Sequence, residues 1–139
     1  KIIKAKDLNI LELGGEQNAN KRRIMQFITA ATCETCQLQM GITELQAGSI
    51  WNTMPPHTHT RRMEVYFYTD LAEGEAICHF MGQPDETRHI WLSNNQGVIS
   101  PNWSIHCAAG TANYSFIWGM AGENLDFSDM DPVRPRDLR

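Results

Sequence analysis

Apolar and polar residues alternate in short runs along most of this 139-residue chain, and helical spacing is nowhere sustained for three turns. A period of two is the pattern of strands with one face against a core, because successive side chains point to opposite sides. Residues 23–30 (RIMQFITA) and 36–45 (CQLQMGITEL) follow it, and 63–69 (MEVYFYT) is rich in the aromatic and β-branched types that strands favour. Segments 75–81, 88–92, 97–100 and 113–119 continue the series. Turn-forming stretches such as Gly82-Gln83-Pro84-Asp85 and Ser93-Asn94-Asn95-Gln96-Gly97 divide them. The predicted fold class is all-β, an antiparallel sandwich or barrel. Residues 1–22 are expected to form a lead-in or linker, 23–120 the barrel, and 121–139 a polar tail. That tail keeps Leu125, Phe127, Met130 and Val133, so it is expected to pack on the barrel or on a neighbouring chain.

Charged residues make up 20% of the chain and its net charge is -4, which gives no basic footprint for nucleic acid or an anionic membrane surface. No apolar run approaches the roughly 20 residues of a membrane span. Lys1-Ile2-Ile3-Lys4 is not followed by the apolar stretch of a signal peptide, and no initiator Met stands at the start, so a piece of a longer protein is expected. Four cysteines in such a chain are expected to be reduced and the protein cytoplasmic. Cys33 and Cys36 have C-x-x-C spacing, but no second pair completes a four-thiolate site and no βαβ pattern surrounds them. We read them as structural or incidental.

Three of the five histidines carry the chemistry. His57 and His59 are two residues apart, so in an extended segment both imidazoles face one side and can reach one ion. Pro55-Pro56 stiffens the approach to them. Glu64 follows His59 by five residues, an odd offset that would turn it to the opposite face of an unbroken strand. The intervening Thr60-Arg61-Arg62 is therefore expected to bend or bulge. Beyond it, Met63, Val65 and Phe67 share one face and Glu64, Tyr66 and Tyr68 the other, where a carboxylate turned into a barrel demands a cation or a donor. His106, at the end of Ser100-Pro101-Asn102-Trp103-Ser104-Ile105, is the best fourth ligand, because a late strand can return beside an early one. Three imidazoles and a carboxylate suit Zn²⁺, Fe²⁺, Mn²⁺ or Ni²⁺, and ligand type alone does not choose among them.

The spacing H-x-H-x4-E, followed by a proline-bearing turn and a late histidine, resembles the two-part motif of cupins, whose fold is a jelly-roll barrel or double-stranded β-helix. Longer words narrow the resemblance. They include Trp51-Asn52-Thr53-Met54-Pro55, Arg61-Arg62-Met63-Glu64-Val65-Tyr66-Phe67-Tyr68 and Met81-Gly82-Gln83-Pro84 with Glu86-Thr87-Arg88-His89. Further on come Ile99-Ser100-Pro101 with Trp103-Ser104-Ile105-His106, then Phe116-Ile117-Trp118-Gly119-Met120 and Gly122-Glu123-Asn124. From Ala19-Asn20-Lys21-Arg22 to Asp137-Leu138-Arg139, the chain resembles the C-terminal half of the 5-keto-4-deoxyuronate isomerase family. The resemblance implies one zinc per chain, held by His57, His59, Glu64 and His106, and assembly as a homohexamer. Trp103 stands where generic cupins carry glycine and Gly110 where they carry asparagine; neither change removes a ligand.

The activity so implied is zinc-dependent ketol isomerisation in uronate catabolism, between 5-keto-4-deoxyuronate and 2,5-diketo-3-deoxygluconate. The carbonyl moves from the first carbon to the second, by proton transfer through an enediol or by a hydride shift. Such a substrate carries a carboxylate, and Arg61, Arg62 and Arg88 are the arginines nearest the motif. Glu86, Tyr66, Tyr68 and His89 are the candidates for the acid or base. Two other readings share the ligand set: an Fe(II) cupin dioxygenase, which would consume oxygen, and a sugar-binding cupin that zinc only stiffens.

Overall fold

The computed structural model describes residues 2–123 and 126–139. Twelve strands run in chain order. They are β1 (Asn9–Leu13), β2 (Arg22–Ile28), β3 (Leu38–Leu45), β4 (Trp51–Asn52), β5 (His57–Thr58) and β6 (Arg62–Thr69), then β7 (Ile77–Gln83), β8 (Glu86–Leu92), β9 (Gly97–Ser100), β10 (Cys107–Gly110), β11 (Ser115–Gly122) and β12 (Asp131–Pro132). One sheet has the order β1-β2-β3-β11-β6-β9, a second β4-β10-β7-β8, and β12 pairs with β5. Every ladder is antiparallel. Strands distant in sequence lie side by side, β11 between β3 and β6 and β10 between β4 and β7, as in a cupin jelly roll.

The core lies where the period of two sends the apolar side chains. Along β6, Arg62, Glu64, Tyr66 and Tyr68 are buried while Met63, Val65, Phe67 and Thr69 are not. Tyr66 meets Phe116 at 4.8 Å between ring centroids, and Tyr68 meets Tyr114 at 5.6 Å. Such pairs add about 0.5–1.5 kcal/mol each beyond the area they bury. Trp118 requires Gly41 opposite it: a Cβ there would stand 2.2 Å from the indole and 2.5 Å from the carbonyl of Met25.

Two segments are more ordered than their composition suggests. Within the lead-in, Asn9–Leu13 adds an edge strand to β2, although of its side chains only Leu11 packs on the core. Five residues with Leu11 and Leu13 on the inward face are too little pattern to show a strand. In the tail, Phe127 packs on Trp118 with ring centroids 5.3 Å apart and Asp131–Pro132 pairs with β5. Leu125, the remaining apolar tail residue named above beside Met130 and Val133, lies outside the described residues. Among the described residues no helix is long and apolar enough to cross a membrane.

Candidate metal centre

β5 ends at Thr58, the chain bends at Thr60 and Arg61, and β6 starts at Arg62. That bend corrects the odd offset, so His57, His59 and Glu64 face one point. In the six-stranded sheet Glu64 lies opposite Ser100 on β9 and Met120 on β11. His106 enters from the opposite sheet, immediately before β10.

The four side chains converge. Their ligand atoms all lie within 4.8 Å of one another. His106 Nε2 stands 2.9 Å from Glu64 Oε2 and 3.1 Å from His57 Nε2, and His59 Nε2 is 3.2 Å from Glu64 Oε2. Ligands at right angles about 2.1 Å from an ion stand about 3.0 Å apart, against about 3.4 Å for a tetrahedron. The three shortest spacings are therefore those of atoms close enough to share one ion. Glu64 is 5% exposed, and a carboxylate so placed is strongly destabilised without a cation. Burial pushes its pKa up, but the charge and hydrogen bonds of His106 and His59 outweigh this and hold it at about 2. Burial and the charges of His106 and His59 push His57 down to about 3, so its imidazole is neutral and free to ligate. The donors therefore fit a divalent ion.

A second layer fixes the first. His59 Nδ1 lies 3.1 Å from the carbonyl of Asp129, and Arg62 Nε lies 3.2 Å from the same nitrogen. Nδ1 holds either a lone pair that accepts from Arg62 or a proton donated to the Asp129 carbonyl, and the second tautomer leaves the Nε2 lone pair for an ion. The tail thus supplies part of the metal centre, and the Val133 N–H donates to the carbonyl of Pro56 just ahead of His57.

A cavity of about 210 Å³ opens over His57, His59 and Glu64, smaller than the pockets usual for drug-sized ligands. Its walls are mostly apolar, with Phe116, Trp118 and Met120 from β11 and Phe127 and Met130 from the tail. Of the four acid or base candidates only Tyr66 lines it. Tyr66 lies 5.7 Å from the His106 ring, and its hydroxyl pairs with Thr53 Oγ1 at 2.7 Å. Thr53 adopts φ 49°, rare for a β-branched residue, which aims its hydroxyl at this partner. Burial, then the charge of Glu64, pushes the Tyr66 phenol well above 10. Tyr68 instead points to the core, its hydroxyl 2.6 Å from His79 Nδ1. Glu86 and His89 are exposed on β8, away from the cavity, because that edge strand turns those positions to solvent.

The three arginines do not line the cavity either. Arg61 is exposed and pairs with Glu123, and Arg88 is exposed and pairs with Glu86. Arg62, 2% exposed, is spent on the tail, donating to the carbonyls of Asp126, Phe127 and Asp129. Arg62 shares the buried face of β6 with Glu64, but its guanidinium runs to the tail. The arginine that does reach the cavity is Arg22, which proximity to the histidine motif could not find. Its position two and four residues before buried Ile24 and Gln26 was the available signal.

A two-sheet antiparallel jelly roll with three histidines and a glutamate converging between the sheets defines a cupin with a candidate metal site. Within that class the chain belongs to the KduI/IolB family, whose sequence pattern matches residues 1–133. It is 59% identical over all of its length to a 4-deoxy-L-threo-5-hexosulose-uronate ketol-isomerase of Formosa agariphila, covering 49% of that protein. It is 55% identical to the enzyme of the same name from Pectobacterium carotovorum, covering 50% of it. The chain spans about half the length of these curated relatives. Among solved structures, an IolB-like protein of Salmonella typhimurium superposes with TM-score 0.79 at 13% identity, over 96% of this chain and 53% of that one. The nucleoside dehydratase Pac13 gives 0.61 at 9% identity, over 96% and 91%. At such identities these two likenesses speak for the fold alone.

Proposed function

We propose that the chain carries the metal-dependent ketol-isomerase site of its family, interconverting 5-keto-4-deoxyuronate and 2,5-diketo-3-deoxygluconate with zinc as the resident ion. The observation that carries this reading is the convergence of His57, His59, Glu64 and His106 at one side of a small, mostly apolar cavity, in a chain so close in sequence to named isomerases. A divalent ion held there supplies the Lewis acidity that polarises a carbonyl oxygen. The apolar walls exclude water from the reacting carbons. Tyr66, kept protonated by burial, offers a hydrogen bond to a substrate oxygen and holds a proton there.

Among the described lining residues, no carboxylate or imidazole lies beyond those committed to the ion. That scarcity of a free base favours the hydride route. The hydrogen on the second carbon then passes with its electron pair to the first, while the hydroxyl proton moves between the two oxygens, so the reaction neither gains nor loses atoms. The reading also makes the protein a cytoplasmic homo-oligomer, a hexamer by the resemblance above.

Incubation with 5-keto-4-deoxyuronate, followed by NMR in aerobic and anaerobic buffer, tests the reading. Equal conversion to the diketo product in both supports it. Oxygen consumption coupled to substrate loss would instead indicate an iron dioxygenase, and a folded, zinc-loaded chain without turnover a stiffened binding cupin.

A further inference from the structure

β2 alternates inward and outward. Ile24 and Gln26 are buried, so Arg22 belongs to the inward face and Arg23 to the outward one. The outward arginine has carboxylates near it, Glu12 and Glu44, each at 3.9 Å. The inward one has none among the described residues. Arg22 is half-buried at the cavity wall, and its one hydrogen bond runs from Nη1 to the carbonyl of Asn20 at 2.9 Å. Burial lowers its pKa, a measure of how poorly water solvates it, although a guanidinium stays charged. Holding a desolvated cation without a counter-ion is costly, and the remaining N–H donors form the planar fork that matches a carboxylate.

The other polar groups of the lining are the metal-centre residues, Tyr66, and the hydroxyls of Thr43 and Thr53. None of the hydroxyls is an anion. Tyr66 is the electrostatic neighbour of Arg22 and also packs on His106, so Arg22 and the metal centre border one continuous space.

We propose that Arg22 is the carboxylate anchor of the cavity, binding the acid group of a sugar acid while the metal centre faces its carbonyl end. The anchor rests on the acidic-sugar reading above and adds the residue that selects for it. It fixes the ligand's direction in the cavity, and an uncharged sugar of equal size leaves the guanidinium desolvated and unpaired.

The test compares the chain with its Arg22→Gln and Arg22→Lys variants, each loaded with zinc and checked for metal content and melting temperature. Binding of D-galacturonate and of neutral D-galactose is titrated by NMR. The proposal expects the unaltered chain to favour galacturonate, and Arg22→Gln to lose that preference by roughly 10- to 100-fold at unchanged zinc content. Arg22→Lys, which keeps the charge but not the fork, should fall between, and it serves if the glutamine variant does not fold. A preference retained in both variants would overturn the anchor and leave the acidic-sugar reading standing. Equal binding of both sugars by the unaltered chain would overturn both.

Discussion

Arg62 Nε stands 3.2 Å from His59 Nδ1, and the terminal nitrogens of the same guanidinium donate to the carbonyls of Asp126, Phe127 and Asp129 at 2.7, 3.3 and 3.0 Å. One buried cation therefore ties a metal ligand to the C-terminal tail. Arg62→Met should cost about 3 kcal/mol of stability through these lost bonds and weaken zinc binding by roughly 10- to 100-fold. Urea unfolding and zinc titration check this. A variant as stable and as tightly metallated as the parent would show that the tie carries nothing.

Tyr66 and Tyr68 share a face of β6 but not a role. Tyr66→Phe removes the hydroxyl that meets the cavity and should lower kcat by about 100-fold with zinc content unchanged. Tyr68→Phe, whose hydroxyl meets only the interior, should reduce stability more than turnover. Steady-state kinetics with melting curves separate the two, and equal kinetic losses would contradict the assignment.

His79 is 0% exposed, with Nδ1 paired to Tyr68 and Nε2 lacking a partner among the described residues. Burial and then the charge of His106 push its pKa down to about 4, against about 6.5 in an unfolded chain. The unfolded state therefore binds the proton first as pH falls. The contribution of a neutral His79 is full above pH about 6.5 and is lost progressively down to about 4, on the order of 3 kcal/mol in all. In metal-stripped protein, His79→Gln should flatten this part of the acid limb, since His57 titrates alike in both chains. Parallel stability curves between pH 7 and 4 would refute it.

Turnover in D₂O reads the route of the hydrogen. A direct shift between neighbouring carbons leaves the new CH₂OH group free of deuterium, whereas an enediol takes one deuteron from solvent. The base-poor lining predicts the former. Stoichiometric deuterium at that carbon would contradict it and require a proton acceptor outside the lining.

The sequence made the barrel legible through β6 and β11, where eight-residue alternating runs carry aromatic residues on one face. Strands β4, β5 and β10 span two to four residues, too short for a period to show, and are set by the partners they pair with. The ligand set was readable because spacing and chemistry agree: two histidines on one face, a buried carboxylate, and a bend to reconcile them. The cavity walls were not, since they join β2, β11 and the tail across distances that only topology closes. Arg22 and Arg62 show the difference, one far from the motif yet in the cavity, the other beside it yet turned to the tail.

The most direct test of the account is a zinc titration into metal-stripped chain, with bound metal measured by mass spectrometry and 5-keto-4-deoxyuronate conversion followed by NMR. The account predicts no conversion without metal, a rise in proportion to bound zinc, and a plateau at one ion per chain. Conversion that survives complete stripping, or one bound zinc with no conversion in a folded protein, would contradict it.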